Sequence, residues 1–277
     1  MAEYKHILYE KQGNLARVKL NRPRYLNAQS QLMLDEMDDA FNAAVLDDDV
    51  RVIILSGEGD HFSSGHDLGT PEEKEDQVRR AYPQGVPGVF IRMQKIFLEY
   101  GFRWRDLPKP TIAMVHGYCI YGGWQIASSM DFIVAAEDTK FLTGFIEYFS
   151  VPWDLGIRQT KELLFQNSFI SPQKAMELGF VNRVVPRDRL EQETLALAET
   201  FAETDPFLIR MTKLSINQAQ DAMGFRTAVQ AALANFIIMS EGANLRSAEE
   251  QAAGKRSLST VDVAMAKLRK EEQGQPY

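Results

Sequence analysis

The fold of this chain is decided by the stretch from Pro108 to Gln125, which reads PKPTIAMVHGYCIYGGWQ. Its first half contains the β-branched and apolar run 111–115, which predicts a buried strand. Its second half passes through a glycine pair at Gly122 into an apolar segment that predicts a helix over 123–130. Free N–H groups at such a helix start suit a developing oxyanion, although a tight turn in any α/β protein uses glycines in the same way.

Strands and helices alternate on both sides of this stretch. The apolar runs 50–55 and 132–136 predict two more buried strands, and residues 6–20 predict a hairpin with its turn at 12–14. Apolar residues at helical spacing predict an amphipathic helix over 30–46. This alternation indicates an α/β protein with a parallel sheet.

Two regions depart from that alternation. Residues 70–90 place a charged run before several prolines and glycines, which predicts either a mobile loop that acts as a lid or a solvated insertion. From residue 188 onward the pattern is helical, and the charged end 267–277 is expected to fray. The predicted helices of this second region span 188–203, 206–221 and 224–241.

The composition excludes several classes of function. The chain has 277 residues, and 38 acidic against 31 basic residues give a formal net charge of −7. This balance argues against a nucleic-acid-binding protein and against a polybasic membrane anchor. The single cysteine, Cys119, excludes a disulfide framework, and no apolar run approaches the ~20 residues of a membrane span. The N-terminus carries no recognisable targeting segment, so we expect a cytoplasmic protein.

Three further motifs accompany the glycine pair in a fixed order. They read NRPRYLNA at 21–28, FSSGHDL at 62–68 and SPQKAMELGFV at 171–181. Together with residues 108–125, they resemble the signature motifs of the crotonase (enoyl-CoA hydratase/isomerase) superfamily. Several ordered motifs at compatible spacing are far more specific than any one of them.

The resemblance implies both an architecture and a chemistry. It implies a crotonase-type ββα spiral core over residues 1–200 and a C-terminal helical oligomerisation region over 201–277, which builds a homotrimer or homohexamer. The implied substrate is an acyl-CoA thioester, with no metal and no cofactor other than the coenzyme A that the substrate carries. Two backbone N–H groups, which fall on His66 and Gly122, would hold the thioester oxygen and stabilise an enolate.

Other candidate site residues lie in or beside the same motifs. Trp124 and Trp153 are expected either to line an acyl pocket or to pack in the core, and Tyr121 either to narrow the pocket or to offer its phenol. The full set of candidate substrate-binding residues is Arg24, Leu26, Gly65, Asp67, Leu68, Tyr121, Trp124, Phe145 and Trp153.

The chain departs from the family at the positions of the two hydratase glutamates. Those positions hold Gln125 and Phe145, and neither side chain exchanges a proton near neutral pH, although Gln125 is able to orient a water. Asp154, among aromatic neighbours, is the best replacement acid or base, with the alternative that it caps a helix beginning near Leu155. Glu147 is the second candidate, with the alternative that it faces solvent.

Three functions are therefore compatible with the sequence. The first is a hydratase or isomerase that uses an unusual acid or base. The second is a C–C bond hydrolase or lyase that acts on a β-keto or ring-derived acyl-CoA through Asp154. The third is a non-catalytic acyl-CoA-binding protein of the same fold.

Overall fold

The architecture is built on two sheets. A computed structural model describes residues 3–143, 146–252 and 260–273. Within these residues, β1 and β2 pair antiparallel, and the six-stranded sheet has the order β1-β2-β3-β4-β6-β8, with its other neighbours parallel. Strands β5 and β7 form a small parallel sheet. The strands are β1 (Ile7–Gln12), β2 (Leu15–Leu20), β3 (Val52–Gly57), β4 (Thr111–Val115), β5 (Tyr118–Ile120), β6 (Phe132–Ala136), β7 (Lys140–Leu142) and β8 (Arg183–Val185).

Helices cover the sheets and form the C-terminal part of the chain. A π-helical stretch, Gln94–Glu99, joins the third and fourth of them. The helices are α1 (Gln31–Leu46), α2 (Pro71–Arg80), α3 (Val86–Met93), α4 (Tyr100–Arg105), α5 (Gly122–Ser128), α6 (Val151–Leu155), α7 (Ile157–Gln166), α8 (Pro172–Glu177), α9 (Leu190–Ala202), α10 (Pro206–Ala222), α11 (Phe225–Ala252) and α12 (Thr260–Glu272).

The central strands are buried on both faces. Ile53 and Leu55 of β3 belong to the large core that also contains α1, whereas Val52 and Ile54 pack in a second cluster with α9. Successive side chains of a strand point to opposite faces, so a strand between two helical layers needs a continuous apolar run. This requirement explains why the apolar run at 50–55 identified a buried strand.

Several sequence predictions are confirmed. The strands predicted at 111–115 and 132–136 are β4 and β6, and the predicted hairpin is β1 and β2. The helix predicted over 30–46 is α1, whose N-terminus is capped by the Ser30 hydroxyl accepting from the Met33 N–H at 3.1 Å.

The predicted loop at 70–90 is wrong, because this segment forms α2 and most of α3. The Thr70 hydroxyl accepts from the Glu73 N–H and caps α2, a helix start that Pro71 also favours. Glu73 is buried and accepts from the Gln31 backbone N–H at 2.9 Å and from Arg92 at 2.8 Å. Glu73 therefore attaches the segment to α1 and α3.

The C-terminal helices extend further than their patterns predicted. Helix α11 continues to Ala252, and residues 267–272, expected to fray, complete α12. Ala264 and Leu268 of α12 are buried, and Ala264 packs against the small sheet. Among the described residues no single helix is long and apolar enough to cross a membrane, although the pair 206–222 and 225–247, bent by 57°, passes that test together on length and composition.

Candidate active site

The motif at 62–68 lies against the segment that leads into the glycine pair. Phe62 and Ser63 donate backbone hydrogen bonds to the carbonyls of His116 (2.8 Å) and Tyr118 (2.9 Å), and Ser63 accepts from the Ile120 N–H at 3.0 Å. Residues that are more than 50 positions apart in sequence thus form one wall of the candidate site. Their pairing fixes the position of the residues that follow Ser63.

The backbones of Gly65 and Gly122 approach each other closely at this wall. Gly65 has φ +94°, and a Cβ added to it would lie 2.8 Å from the Ile120 carbonyl oxygen and 3.3 Å from the Gly122 nitrogen. Glycine is therefore required at position 65 both by conformation and by space. Tyr121, directly before Gly122, also has a positive φ, 45°, which turns the chain sharply into α5.

The backbone N–H groups of His66 and Gly122 are unoccupied. Neither amide donates a hydrogen bond to any residue in the described part of the chain. For Gly122 the reason is its position, because the first N–H groups of a helix have no intrahelical acceptor. Two unused donors on adjacent backbone segments are the arrangement that an oxyanion hole requires.

The His66 imidazole and the Glu147 carboxylate meet beside these donors. His66 Nε2 lies 3.6 Å from Glu147 Oε1, and their side chains are 19% and 5% exposed. The alternative that Glu147 faces solvent is therefore wrong. The Phe97 ring packs against the imidazole, with 4.7 Å between ring centroids, and holds the other side of the ring.

Gln125 points toward the π-helical stretch. Its side-chain amide donates to the carbonyls of Ile96 and Phe97 at 3.4 and 3.3 Å. Gln125 is buried, and its Oε1 has no hydrogen-bond partner among the described residues. A π-helical turn displaces its carbonyl groups from the hydrogen-bonding pattern of an α-helix. The buried Gln125 amide therefore stabilises the π-helical stretch by donating to two of its carbonyls.

Asp154 lies apart from the His66–Glu147 pair. Its Oδ2 accepts from the indole N–H of Trp124 at 3.1 Å and from the Ser150 hydroxyl at 2.8 Å. Burial raises the pKa of Asp154 from 3.8 to about 6, against the effect of these two hydrogen bonds. It lines a cavity of about 550 Å³ to which neither His66 nor Glu147 contributes.

The proposed capping role of Asp154 is wrong. Asp154 lies inside α6 (Val151–Leu155), and the next helix, α7, begins at Ile157 after Gly156, which has no side chain to cap it. The carboxylate of Asp154 is bound instead by side chains from α5 and from the residue before α6.

The other candidate residues are distributed around this wall. Asp67 is buried and accepts from Arg22 at 2.8 Å and from the Thr70 N–H at 2.8 Å, so its carboxylate closes the loop. Arg24, Leu26 and Leu68 are exposed. Phe145 lies outside the described residues.

The aromatic candidates belong to different environments. Trp124 is buried and stacks on Phe180, whereas Trp153 lines the cavity of Asp154 and contacts Phe225 edge-on. Tyr121 packs in the cluster that contains Ala264 of α12, and burial raises its pKa to about 12. Among the described residues, Tyr121, Trp124 and Trp153 therefore do not converge on a single pocket.

Two residues that support the site were not singled out from the sequence. Asn27 has φ 54°, and its side-chain amide donates to the backbone carbonyls of Glu58 (2.9 Å) and His61 (2.7 Å). The Gln29 amide donates to Ser63 Oγ at 3.1 Å, while Gln29 Oε1 has no partner among the described residues. The motif at 21–28 marked the region but not these bonds.

Comparison with known proteins agrees with this architecture. The family model for enoyl-CoA hydratase/isomerase matches residues 10–250. EchA13 of Mycobacterium tuberculosis is 38% identical over 251 residues, which cover 82% of this chain and 78% of that protein.

Solved structures agree as well. A probable enoyl-CoA hydratase from Mycobacterium smegmatis is 37% identical, with a TM-score of 0.75 over 82% of this chain and 91% of the other. An enoyl-CoA hydratase/isomerase from Xanthobacter autotrophicus Py2 is 35% identical, with a TM-score of 0.77 over 85% and 87% of the two chains. On these grounds the chain belongs to the enoyl-CoA hydratase/isomerase family of the crotonase superfamily.

Proposed function

We propose that this protein is an acyl-CoA thioester enzyme that stabilises a thioester enolate between the backbone N–H groups of His66 and Gly122. The observation that carries the proposal is the pair of amides without acceptors at adjacent backbone positions. A thioester oxygen gains negative charge when its α-carbon is deprotonated or when a nucleophile adds to a conjugated double bond. Fixed donors stabilise that charge, and one such donor is worth ~10²–10³-fold in rate.

The reaction is expected to be isomerisation or hydration without the usual pair of glutamates. Gln125 donates its amide hydrogens to the π-helical stretch and has no proton to exchange. The candidates for the acid or base are Glu147 and Asp154. A homotrimer or homohexamer and a cytoplasmic location remain predictions of the family resemblance.

A C–C bond hydrolase or lyase is the second candidate, and Asp154 favours it. A carboxyl whose pKa is raised to about 6 by burial is able to take and return a proton near neutral pH. Its separate cavity would have to admit the acyl group of a β-keto or ring-derived thioester.

The test is mass spectrometry of a thioester panel incubated with the enzyme in ¹⁸O-water. The panel holds crotonyl-CoA, a ring-conjugated enoyl-CoA and a cyclic β-ketoacyl-CoA, and chromatography separates double-bond isomers of equal mass. One added labelled water or a shifted double bond supports the proposed function. Chain cleavage with label in a new carboxylate supports the hydrolase, and binding without turnover of any thioester favours a non-catalytic acyl-CoA-binding protein.

A further inference from the structure

Buried polar atoms without partners gather around Gly122. Of the nine such side-chain atoms in the described part of the chain, three are Gln29 Oε1, His66 Nε2 and Glu147 Oε2. A Cβ added to Gly122 would lie 2.5 Å from Gln29 Oε1 and 2.6 Å from His66 Cε1, so these two side chains stand directly beside Gly122. Glu147 is adjacent to them through His66, whose Nε2 lies 3.6 Å from Glu147 Oε1. Buried polar groups are normally paired, and a cluster of unpaired ones therefore indicates a place where a ligand or a proton is handled.

The surroundings of Glu147 leave its second oxygen available. Oε1 faces His66 Nε2 at 3.6 Å. Oε2 is buried and accepts no hydrogen bond there. The nearby phenol of Tyr121 interacts with this carboxylate electrostatically.

We propose that Glu147 is the proton acceptor of this site and that the His66 imidazole positions its carboxylate, an inference that rests on the proposed function. The family resemblance gives His66 a role only through its backbone N–H. Here the same residue would act twice, with its amide on the thioester oxygen and its ring on Glu147.

The proton transfer balances without any further reactant. Glu147 Oε2 takes a proton from the carbon next to the thioester carbonyl, and the C–H electron pair becomes the enolate double bond. The carbonyl π electrons move to oxygen, where the two amides stabilise them. The neutral acid returns this proton to the γ-carbon of a β,γ-enoyl thioester, which shifts the double bond. Alternatively, it first exchanges the proton with solvent water and then protonates the same carbon, which gives isotope exchange.

Gln125 contributes to this arrangement from a distance. It holds the Phe97 carbonyl, and the Phe97 ring packs against the His66 imidazole. Gln125 is therefore a positioning residue that acts through Phe97 and His66.

The experiment measures α-proton exchange of butyryl-CoA and phenylacetyl-CoA in D₂O by mass spectrometry, with binding followed separately by calorimetry. The wild-type protein is expected to incorporate deuterium at the α-carbon. Glu147→Gln is expected to lower that rate by ~10²–10⁴-fold, because a general base is lost while both amides remain. The matched control is Glu137→Gln, which changes an exposed glutamate and is expected to exchange like the wild type.

His66 is tested through its side chain alone, since every substitution other than proline keeps its backbone N–H. His66→Ala keeps both amides and Glu147, and it is expected to lower kcat by at least ~10-fold with KM unchanged, because the carboxylate loses the ring that positions it. His66→Gln, whose side-chain amide places an N–H near the former Nε2, is expected to recover part of kcat. An unchanged kcat in His66→Ala overturns the positioning role.

Each outcome separates the two proposals. Absence of exchange by the wild type with both thioesters, or absence of binding, contradicts the proposed function itself. Exchange by the wild type that persists within threefold in Glu147→Gln overturns the assignment of Glu147, and its loss in Asp154→Asn instead assigns the proton to Asp154. If circular dichroism shows that Glu147→Gln does not fold, Glu147→Asp replaces it in the experiment. This variant keeps the charge, and the shorter reach of its side chain is expected to lower exchange by at least ~10-fold.

Discussion

Replacing Asp154 by Asn removes a carboxyl group whose ionisation is opposed by its cavity. Burial raises the pKa of Asp154 from 3.8 to about 6, although Trp124 and Ser150 both donate to it. A shift of about two pKa units corresponds to about 3 kcal/mol between the two protonation states. The asparagine side chain keeps an oxygen for the Trp124 indole, so the substitution mainly removes the charge.

The effect of pH on folding stability depends on whether the folded or the unfolded state binds the Asp154 proton more tightly. The folded protein holds the Asp154 proton up to a pKa of about 6, whereas the unfolded chain loses it near 3.8. Below both pKa values the carboxyl is protonated in both states and does not lower the free energy of unfolding. Stability falls as the pH rises from about 4 through about 6, and above that range the full cost of about 3 kcal/mol remains. About 1.4 kcal/mol of it develops between pH 5 and pH 8.

Thermal unfolding at pH 5, 6 and 8 checks this expectation. Asp154→Asn is expected to be more stable than the wild type at pH 8, and its advantage is expected to shrink by about 1.4 kcal/mol at pH 5, or about 3–5 °C in Tm. The matched control is Asp188→Asn, which changes an exposed aspartate. If the two variants differ from the wild type by the same amount at every pH, Asp154 does not carry the penalty and its cavity is wetter than the structure indicates.

Three further perturbations follow from single contacts. Gly122→Ala places a Cβ within 2.6 Å of atoms of Gln29 and His66, and we expect kcat/KM to fall ~10²–10³-fold. The control is Gly242→Ala, whose added Cβ meets open space, and we expect its turnover to be unchanged. Gln125→Glu places a carboxylate against the two π-helical carbonyls, so we expect the free energy of unfolding to fall by about 1–3 kcal/mol. We expect no increase in the rate of crotonyl-CoA hydration. Glu73→Gln breaks the ion pair of buried Glu73 with Arg92, and we expect backbone hydrogen exchange over 71–93 to accelerate. The control is Glu75→Gln, which changes an exposed glutamate and is expected to leave that exchange unchanged.

The sequence predicts the central sheet well because one physical requirement decides it. Strands β4 and β6 lie between two apolar layers, so every side chain along them must be apolar or small, and both strands match their predicted bounds at 111–115 and 132–136. No competing conformation satisfies that pattern so well. Local composition is then sufficient, without knowledge of the partners.

The segment at 70–90 is helical although its composition is typical of a loop, because the positions of a few residues outweigh the composition there. Its glutamates, prolines and glycines are typical of loops, but Thr70, Pro71 and Glu73 stand where a helix N-terminus needs them. The burial of Glu73 depends on Arg92 and on the backbone of α1, which are distant in sequence. Only the folded chain shows that this charge is paired.

At the candidate site, too, the sequence alone does not predict the directions in which side chains point. The family resemblance placed two backbone donors at His66 and Gly122, and neither amide has an acceptor among the described residues. The sequence could not tell that Glu147 turns inward to His66 while Asp154 turns to Trp124. A shift of a few residues along an irregular segment reverses the direction in which a carboxylate points.

Gln125 stands where the family resemblance expects a glutamate, and its side chain has contacts of its own. The sequence presents this position as a general acid or base replaced by an inert amide, but the structure gives the amide donor work that a carboxylate is unable to do, since both of its contacts are carbonyl oxygens. Through Phe97 those contacts reach the ring of His66, which faces Glu147. Under the proposed assignment of Glu147 as the proton acceptor, Gln125 is a positioning residue and takes no part in the proton transfer itself.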